Sequence, residues 1–209
     1  LRSAPSLAVL ITAIGVSYFL QNMALLIFGS ASRNFPDILN LPDWHVAEGL
    51  TVTGEAILTI AATIVIMIAL TAFINHTRIG SAMQAVSEDR GAAQLMGVNV
   101  NSTISVTFAI GSALAAASGI MWALRYPQIN PYMGIFPGFK AFIAAVLGGI
   151  GSIQGAMIGG LLLGFIEIMT VAFMPSLSGY RDAFAFVVLV LVLLVRPTGL
   201  FGQRSEEKI

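Results

Sequence analysis

The sequence predicts an all-α, polytopic membrane protein: one transmembrane domain covering residues 1–209, built as a helical bundle of about five to six membrane segments. Hydrophobic residues make up 57% of the chain and charged residues only 10%. A soluble domain usually carries about 25% charged residues, so this chain lacks the polar surface that a soluble globule needs. Several apolar runs are also close to the length that crosses a bilayer.

A helix needs about 20 mostly apolar residues to span the hydrocarbon core. Four runs approach that length, namely residues 7–29, 56–74, 102–124 and 155–174. A fifth run, residues 183–195, is shorter but almost purely apolar. Residues 139–150 cover about half a span, which leaves open a re-entrant helix, a broken helix or a short crossing.

Basic residues in the loops predict the orientation of the chain, because cytoplasmic loops carry an excess of Lys and Arg. With six crossings, one side of the membrane carries Arg2, Arg78, Arg90, Arg196, Arg204 and Lys208. The other side carries Arg33, Arg125, Lys140 and Arg181. This bias places the loop at residues 76–101 and the C-terminus in the cytoplasm. The opposite loop, residues 30–53, is expected to be irregular and to face water.

The loop at residues 76–101 is too long and too helix-prone for a simple connector. On one continuous helix its small apolar residues would form a stripe that includes Val86, Ala93 and Met96, but Asp89 would fall inside that stripe. The conflict predicts two short helices, with Ser87 or Asp89 capping the second. The stripe suits the groove of a partner; the alternative, a helix pair on the bilayer surface, is disfavoured by the low basic content.

Glycines are dense towards the C-terminal half of the chain. Those that we expect to permit close helix packing are Gly148, Gly149, Gly151, Gly155, Gly159, Gly160 and Gly164. Small residues at four-residue spacing let helix backbones approach each other in lipid. Packing within the chain is the preferred interpretation, and a dimer face is the alternative.

Polar residues inside the apolar runs are candidates for a translocation path. Glu167 is the one carboxylate well inside a predicted span, and such a group is costly in lipid unless it has a function or a partner. It could pair with another helix, line a solute path or carry a proton. Gln21 and Asn22, in the first span, could bind a polar solute or another helix.

Several kinds of chemistry are excluded. The two histidines, His45 and His76, lie far apart without an acidic cluster, so we expect no metal site and no cofactor in this chain. Neither Lys140 nor Lys208 lies in a phosphate-binding loop of the G-x-x-x-x-G-K-[ST] type, so the chain is not expected to be an enzyme that hydrolyses ATP. Cysteine is absent and the net charge is zero, which argues against disulfides and nucleic-acid binding.

Five segments resemble one transporter family. They are LITAIGVSYFLQN at residues 10–22, the loop from Glu88 to Asn99, INP at residues 129–131, RPTGL at residues 196–200, and FKAFIAAVLGGIGS followed by GAMIGG at residues 139–160. The last is the most specific. The chain is similar over nearly its whole length to the permease subunits of bacterial branched-chain amino acid ABC importers, of the LivH type.

The resemblance implies a location in the bacterial inner membrane, in contact with lipid, and a set of partners. These are a second, LivM-like permease, two cytoplasmic ATPase subunits that hold ATP and Mg, and a periplasmic amino-acid binding protein. Members of the family are larger, so the chain is expected to lack N-terminal membrane helices. The loop at residues 76–101 would be the coupling loop, with Arg78, Glu88, Asp89, Arg90, Gly97 and Asn99 as its contact residues. No Leu-Pro follows Gly97, which departs from the coupling loop of other importers.

Two further classes of function remain as alternatives. An ion-gradient-driven transporter or channel would need buried charges for coupling, and Glu167 alone is thin support. A membrane scaffold that only assembles partners would not need polar residues inside its spans. Gln21, Asn22 and Glu167 therefore favour a solute path, and an ATP-driven importer is the main prediction.

Overall fold

The computed structural model describes residues 6–36, 42–47, 50–149, 151–196 and 198–202. The helices are α1 Ser6–Phe28, α2 Gly54–His76, α3 Arg78–Glu88, α4 Arg90–Leu95, α5 Val100–Arg125, α6 Ile135–Gly148, α7 Ile153–Phe173 and α8 Arg181–Val195. A 3-10 helix, Pro175–Tyr180, connects α7 to α8. The all-α prediction is confirmed.

Within the described part of the chain, four helices, α1, α2, α5 and α7, are long and apolar enough to cross a membrane. They cover the four long runs predicted from the sequence. The helices α6 and α8 are apolar but have only 14 and 15 residues. At 1.5 Å per residue each is about 22 Å long, shorter than the hydrocarbon core of about 30 Å. The short segment predicted at residues 139–150 is thus a short helix that begins earlier, at Ile135; Ile150 lies outside the described residues.

Large apolar side chains cover the outside of the molecule. Leu26 is 85% exposed, Phe173 is 80% exposed and Val195 is 81% exposed. In water such a surface would be strongly unfavourable, whereas lipid tails solvate it at no cost. The distribution of apolar side chains therefore agrees with a membrane as the solvent.

The chain divides into two compact units, and unit 1 comprises Leu1–Glu55 and Leu114–Ile135. It contains α1 and two small antiparallel ladders, in which β1 Arg33–Asn34 pairs with β4 Gln128–Ile129, and β2 Trp44–Ala47 pairs with β3 Leu50–Val52. The prediction of an irregular loop at residues 30–53 is wrong for these strands. Their backbone groups pair with each other rather than with water.

Unit 2 comprises Ala56–Ala113 and Phe136–Ile209. Within it, α6 and α7 form an antiparallel hairpin. A small apolar core of Ile143, Leu163 and Ala185 joins α6, α7 and α8, with Leu189 packed against it.

The backbones of α6 and α7 touch at glycines. A Cβ at Gly148 would overlap the carbonyl of Gly155, and a Cβ at Gly159 would overlap the carbonyl of Ala144. Such an approach is possible only without side chains, and it gives strong van der Waals contact in lipid. The glycine spacing in this part of the chain therefore serves packing between these two helices.

Three of the expected packing glycines, Gly151, Gly160 and Gly164, do not take part in this close backbone contact. Gly151 precedes α7, which begins at Ile153 with Ser152 as its cap, so Gly151 lies in the turn and not on a helix face. Its φ of 93° is a left-handed conformation that favours glycine. A Cβ at Gly164 would meet nothing within 4 Å, and one at Gly160 would make only ordinary contact. The close backbone contact with α6 involves only the face of α7 that carries Gly155 and Gly159.

The segment after α8 returns to the α6–α7 turn. Leu200 donates its backbone N–H to the carbonyl of Leu147 at 3.0 Å, and Phe201 donates to that of Gly148 at 2.9 Å. Gly149 has a φ of 110°, and a Cβ there would overlap the backbone of Gly202. The returning segment thus satisfies two carbonyls that the end of α6 leaves without helical partners.

Candidate functional site

The loop predicted to contact a partner begins at a tight joint with α2. The Thr77 hydroxyl donates to the carbonyl of Phe73 at 2.7 Å and accepts a hydrogen bond from the backbone N–H of Gly80 at 3.0 Å. Gly80 is buried, and a Cβ there would overlap the carbonyl of Ile74. The first turn of α3 is therefore held against the last turn of α2.

The predicted interruption of the loop is present, and Asp89 forms it. The Asp89 carboxylate accepts hydrogen bonds from the backbone N–H groups of Gly91 at 2.7 Å and Ala92 at 3.0 Å. Of the two predicted caps it is Asp89 that caps α4; the Ser87 hydroxyl donates instead to the carbonyl of Gln84. The carboxylate thus stabilises the start of α4, while the extended backbone of Asp89, with a φ of −151° and a ψ of 111°, ends α3.

Gly97 turns the chain out of α4. Its φ of 84° lies in the left-handed region, and its N–H donates to the carbonyl of Gln94 at 3.0 Å. The N–H of Val98 reaches the carbonyl of Ala93, also at 3.0 Å. These bonds close a helix end that depends on glycine.

The remaining polar candidates of the loop lie at helix ends. The Asn99 side chain accepts a hydrogen bond from the N–H of Ser102 at 3.1 Å and so caps α5. Arg78 begins α3, Glu88 ends it, and Arg90 begins α4; all three are exposed. Asp89, Gly97 and Asn99 thus shape the backbone, while the three exposed residues present charge.

The apolar surface of the loop differs from the predicted stripe. Val86 and Ala93 are 7% and 3% exposed, so they are buried inside the chain and cannot contact a partner. Met96, the third residue named in the predicted stripe, is 84% exposed, and Leu95, which the stripe did not include, is 90% exposed. The stripe was drawn for one continuous helix, and the break at Asp89 changes which residues face outward. We call Leu95 and Met96 the apolar tip.

A second polar site lies between α6, α7 and α8. The Lys140 ammonium is 2.9 Å from Oε1 and 3.0 Å from Oε2 of Glu167, and 2.9 Å from Oδ1 of Asp182. The side chains of Lys140 and Glu167 are 22% and 12% exposed, and that of Asp182 is 47% exposed. We call these three residues the ion cluster.

The antiparallel hairpin brings the cluster together. Lys140 lies in the second turn of α6, Glu167 lies less than two turns before the end of α7, and Asp182 lies in the first turn of α8. All three positions fall at the same end of the hairpin, opposite the glycine turn. The cost of placing Glu167 inside an apolar helix is offset by this pairing.

Sequence reasoning missed two members of this cluster. It counted Lys140 among the loop residues that set the orientation, whereas Lys140 lies inside α6. Asp182 lies just before the fifth apolar run, residues 183–195, and was not among the candidate residues. The available signal was a lysine inside one apolar run and a carboxylate inside the next, since opposite charges in neighbouring membrane helices usually pair.

Gln21 and Asn22 bond within their own helix. The Gln21 amide donates to the Ser17 hydroxyl at 3.4 Å, and the Asn22 amide donates to the carbonyl of Tyr18 at 2.8 Å. They belong to unit 1, whereas Glu167 belongs to unit 2.

An apolar cavity of about 270 Å³ lies in unit 2 beside the end of α7. Its lining consists of Phe165, Ile166, Met169, Thr170, Phe173, Met174 and Phe184. No member of the ion cluster lines it. Among the described residues, no group of three His, Cys, Asp or Glu side chains could hold a metal ion.

Comparison with known proteins decides the family. Residues 1–193 match the family model described as branched-chain amino acid transport system / permease component. The chain belongs to this family. It is 44% identical, over its whole length, to the high-affinity branched-chain amino acid transport system permease protein LivH of Escherichia coli K12, and the match covers 68% of that protein. The same figures hold for the corresponding permease protein BraD of Pseudomonas aeruginosa.

A more distant relative is named for ribose import rather than for amino acid transport. The ribose import permease protein RbsC of Escherichia coli K12 is 31% identical over 128 residues, which is 58% of this chain and 40% of that protein. No solved structure matches the chain significantly. The family membership and the apolar helices identify a multi-pass inner-membrane transport subunit rather than an enzyme.

Proposed function

We propose that the chain is the membrane-spanning permease subunit of an ATP-driven importer for branched-chain or related hydrophobic amino acids. The observation that carries this proposal is the 44% identity over the full chain to two permeases named for branched-chain amino acid transport. The match to a ribose permease indicates that the scaffold alone does not select the cargo. Selection then falls largely to a periplasmic binding protein that delivers the amino acid.

The loop at residues 76–101 is the element that couples this subunit to ATP hydrolysis. We call α3 and α4 the module. Its apolar tip, Leu95 and Met96, is highly exposed, and the charged Glu88 and Arg90 are exposed in the same module. Apolar side chains with a polar rim are the usual anchors of protein–protein contacts. The partner is a cytoplasmic ATPase subunit, which holds the ATP and Mg that this chain has no motif to bind.

The connections of the module transmit its motion into the membrane. The Thr77 joint fixes α3 to the end of α2, and Asn99 caps the start of α5. A displacement of the module when the ATPases close would therefore tilt α2 and α5 directly. Such rigid-body movement is a common way to switch a transporter between outward and inward openings.

The complete transporter contains more than this chain. We expect a second, LivM-like permease to complete the path, two ATPase subunits to bind the two coupling loops, and residues 1–209 to act as one permease domain. The large apolar side chains exposed along α1, such as Leu26 at 85%, give lipid or the second permease a surface to cover.

Replacing the apolar tip tests the coupling proposal. In the assembled transporter, Leu95→Asp should weaken binding of the ATPase subunits at least about tenfold, because it places a charge where the proposed interface buries an apolar side chain. Co-purification of the ATPases with the permease measures the effect. Gln94→Asp places the same charge on the adjacent exposed residue of α4 and should retain binding. Full ATPase binding by Leu95→Asp would refute the coupling role of the tip.

The orientation can be tested separately because the chain contains no cysteine. In sealed inside-out vesicles a membrane-impermeant thiol reagent should label Gln94→Cys, and in right-side-out vesicles it should not. The reverse pattern would place the loop on the outer face. An ATP-driven importer should also lose leucine uptake when ATP is depleted, and an ion-driven transporter should lose it when the ion gradient is collapsed.

A further inference from the structure

The module is attached to α2 and to α5 in different ways. On the α2 side a single residue, Thr77, separates the end of α2 from the start of α3. On the α5 side residues 96–99 separate the end of α4 from the start of α5. Each connecting residue adds two rotatable backbone angles, so the longer connection can absorb more of a displacement.

Contacts on the α2 side tie the two helices to each other. The Thr77 hydroxyl donates to the carbonyl of Phe73 in α2 at 2.7 Å and accepts from the N–H of Gly80 in α3 at 3.0 Å. Gly80 is buried, and a Cβ there would overlap the backbone of Ile74. We call residues 77–80 the joint. Its backbone contact leaves α3 no room to rotate towards α2.

Contacts on the α5 side stay within single helices. After Gly97, whose φ is 84°, the N–H of Val98 returns to the carbonyl of Ala93 in α4. The Asn99 side chain accepts from the N–H of Ser102 in α5 at 3.1 Å. The first bond closes α4 and the second caps α5, so neither of them joins the two helices.

The two membrane helices also differ in stiffness. The 23 residues of α2 form a rod about 34 Å long and, after the initial Gly54, contain no glycine or proline. By contrast, α5 contains two pairs of adjacent glycine and serine, at residues 111–112 and 118–119. Such pairs are common positions for kinks. A force applied at one end is therefore transmitted along α2 with less bending than along α5.

Packing within the chain holds α2 less than it holds α5. Within α2, every residue of which the structure describes, only Gly54 is buried, and it lies at the end opposite to the module. In α5, Thr103 near the start and Ala123 near the end are both buried. Little packing within the chain thus opposes a tilt of α2, whereas α5 is covered near both ends.

We propose that α2 is the lever that carries the coupling motion into the membrane, and that Gly80 is the positioning residue of its joint. This proposal rests on the coupling role proposed above and makes it specific. When an ATPase displaces the apolar tip, α3 moves as one piece with the last turn of α2, and the stiff α2 tilts. The helix α5 receives only the part of the displacement that residues 96–99 do not absorb.

The coupling ratio, which is the number of leucine molecules imported per ATP hydrolysed, tests the role of Gly80. It is measured in vesicles with the complete transporter, including the binding protein. Gly80→Val overpacks the joint and forces α3 away from α2, so the ratio should fall at least about tenfold. The ATPases should still co-purify, because the apolar tip is unchanged. A general loss of folded protein would lower uptake and hydrolysis together and would leave the ratio unchanged.

Gly111→Val is the matched control. Gly111 is exposed on α5, and a Cβ there would meet nothing within 4 Å. The coupling ratio of this variant should stay within about twofold of the wild-type value, as for most substitutions at exposed positions.

Single-residue insertions compare the two connections directly. A glycine inserted between Thr77 and Arg78 leaves both helices intact but breaks the bond from Gly80 to the Thr77 hydroxyl, so the ratio should fall about tenfold. The same insertion between Val98 and Asn99 only lengthens a longer connection, and the ratio should stay within about threefold of the wild-type value.

Thr77→Val is a milder variant, because it keeps the shape of the side chain and removes only the hydroxyl. It should lower the coupling ratio about threefold, and it decides the question if the stronger variants do not assemble.

Two results would each overturn the proposal: a wild-type coupling ratio in every joint variant that assembles, or an equal loss from the two insertions. Failure of the importer function is distinguishable, because the wild-type transporter would then show no ATP-dependent leucine uptake. In that case the proposed lever has no motion to carry and is refuted as well. If the wild-type transporter couples normally, only the assignment of α2 and Gly80 is at stake.

Discussion

The α3–α4 module and the α6–α7–α8 bundle are built by opposite means. In the module, the structure depends on hydrogen bonds between residues close in sequence, such as those of Asp89 with Gly91 and Ala92. In the bundle it depends on contacts between distant residues, such as the ion pair of Lys140 and Glu167, which are 27 residues apart. The module is polar and exposed, whereas the bundle has an apolar core and glycine contacts between backbones.

The module is therefore suited to binding a partner, whereas the bundle is suited to staying rigid. The module keeps its shape through its own caps, so it can bind a partner and move as one piece. The bundle is fixed at one end by the ion cluster and at the other by the segment at residues 198–202, which bonds to the α6–α7 turn. We expect α6, α7 and α8 to move together, because packed interfaces switch between discrete arrangements rather than deform.

The largest expected effect follows from breaking the backbone contact of the bundle. Gly159→Val places a side chain where the carbonyl of Ala144 already lies, and α6 and α7 would have to separate. We expect a loss of about 3 kcal/mol or more in the stability of the folded protein, in line with overpacking of a rigid core. The yield of monodisperse protein in detergent and its Tm measure this loss.

Gly164→Val is the matched control for that substitution. Gly164 lies on the same helix, but a Cβ there meets nothing within 4 Å. The Tm should fall by no more than a few degrees, because the new side chain fills open space. Equal damage from both substitutions would mean that glycine in α7 matters for helix flexibility rather than for close packing.

The sequence was sufficient to predict the helices that depend on local pattern. The four long apolar runs correspond to α1, α2, α5 and α7. The position of the charged Asp89 inside the apolar stripe of a single helix correctly indicated a break between two short helices. Capping and hydrophobic length are set within a few residues, so one sequence contains the whole signal.

Features that depend on tertiary structure could not be predicted in the same way. The partner of Glu167 was left open because nothing local to it indicates that Lys140 and Asp182 lie at the same end of the hairpin. The exposure of Leu95 was missed because it depends on how α4 is turned relative to α3. Both follow from the geometry of neighbouring helices, which hydrophobic periodicity does not specify.

A smaller effect is expected from breaking the ion cluster. Lys140→Met leaves the carboxylates of Glu167 and Asp182 close together without their shared cation. Removing one partner of a buried ion pair costs about 3–5 kcal/mol. Because Lys140 is 22% exposed and Asp182 47% exposed, solvent screens the charges, and we expect a smaller loss of roughly 2 kcal/mol. The Tm of the purified transporter in detergent measures it.

The double variant Lys140→Met with Glu167→Gln is the control for this prediction. It removes one of the two repelling charges, so it should be more stable than Lys140→Met alone. A double variant that is less stable by the sum of the two single effects would indicate that the pair does not interact energetically. The cluster would then be irrelevant to the rigidity of the bundle.

The smallest effect is expected in the module, and it should stay local. Asp89→Ala removes both hydrogen bonds that cap α4, which should cost about 1 kcal/mol. Because both lost bonds lie in the first turn of α4, hydrogen exchange at the amides of Gly91 and Ala92 should accelerate about fivefold, while the Tm of the whole transporter stays within a degree or two. Asp89→Asn retains an oxygen that can accept these bonds and should restore most of the protection. If Asp89→Ala lowered the Tm as much as Lys140→Met does, the module would be part of the rigid core, and the contrast between a self-contained docking element and a fixed bundle would be lost.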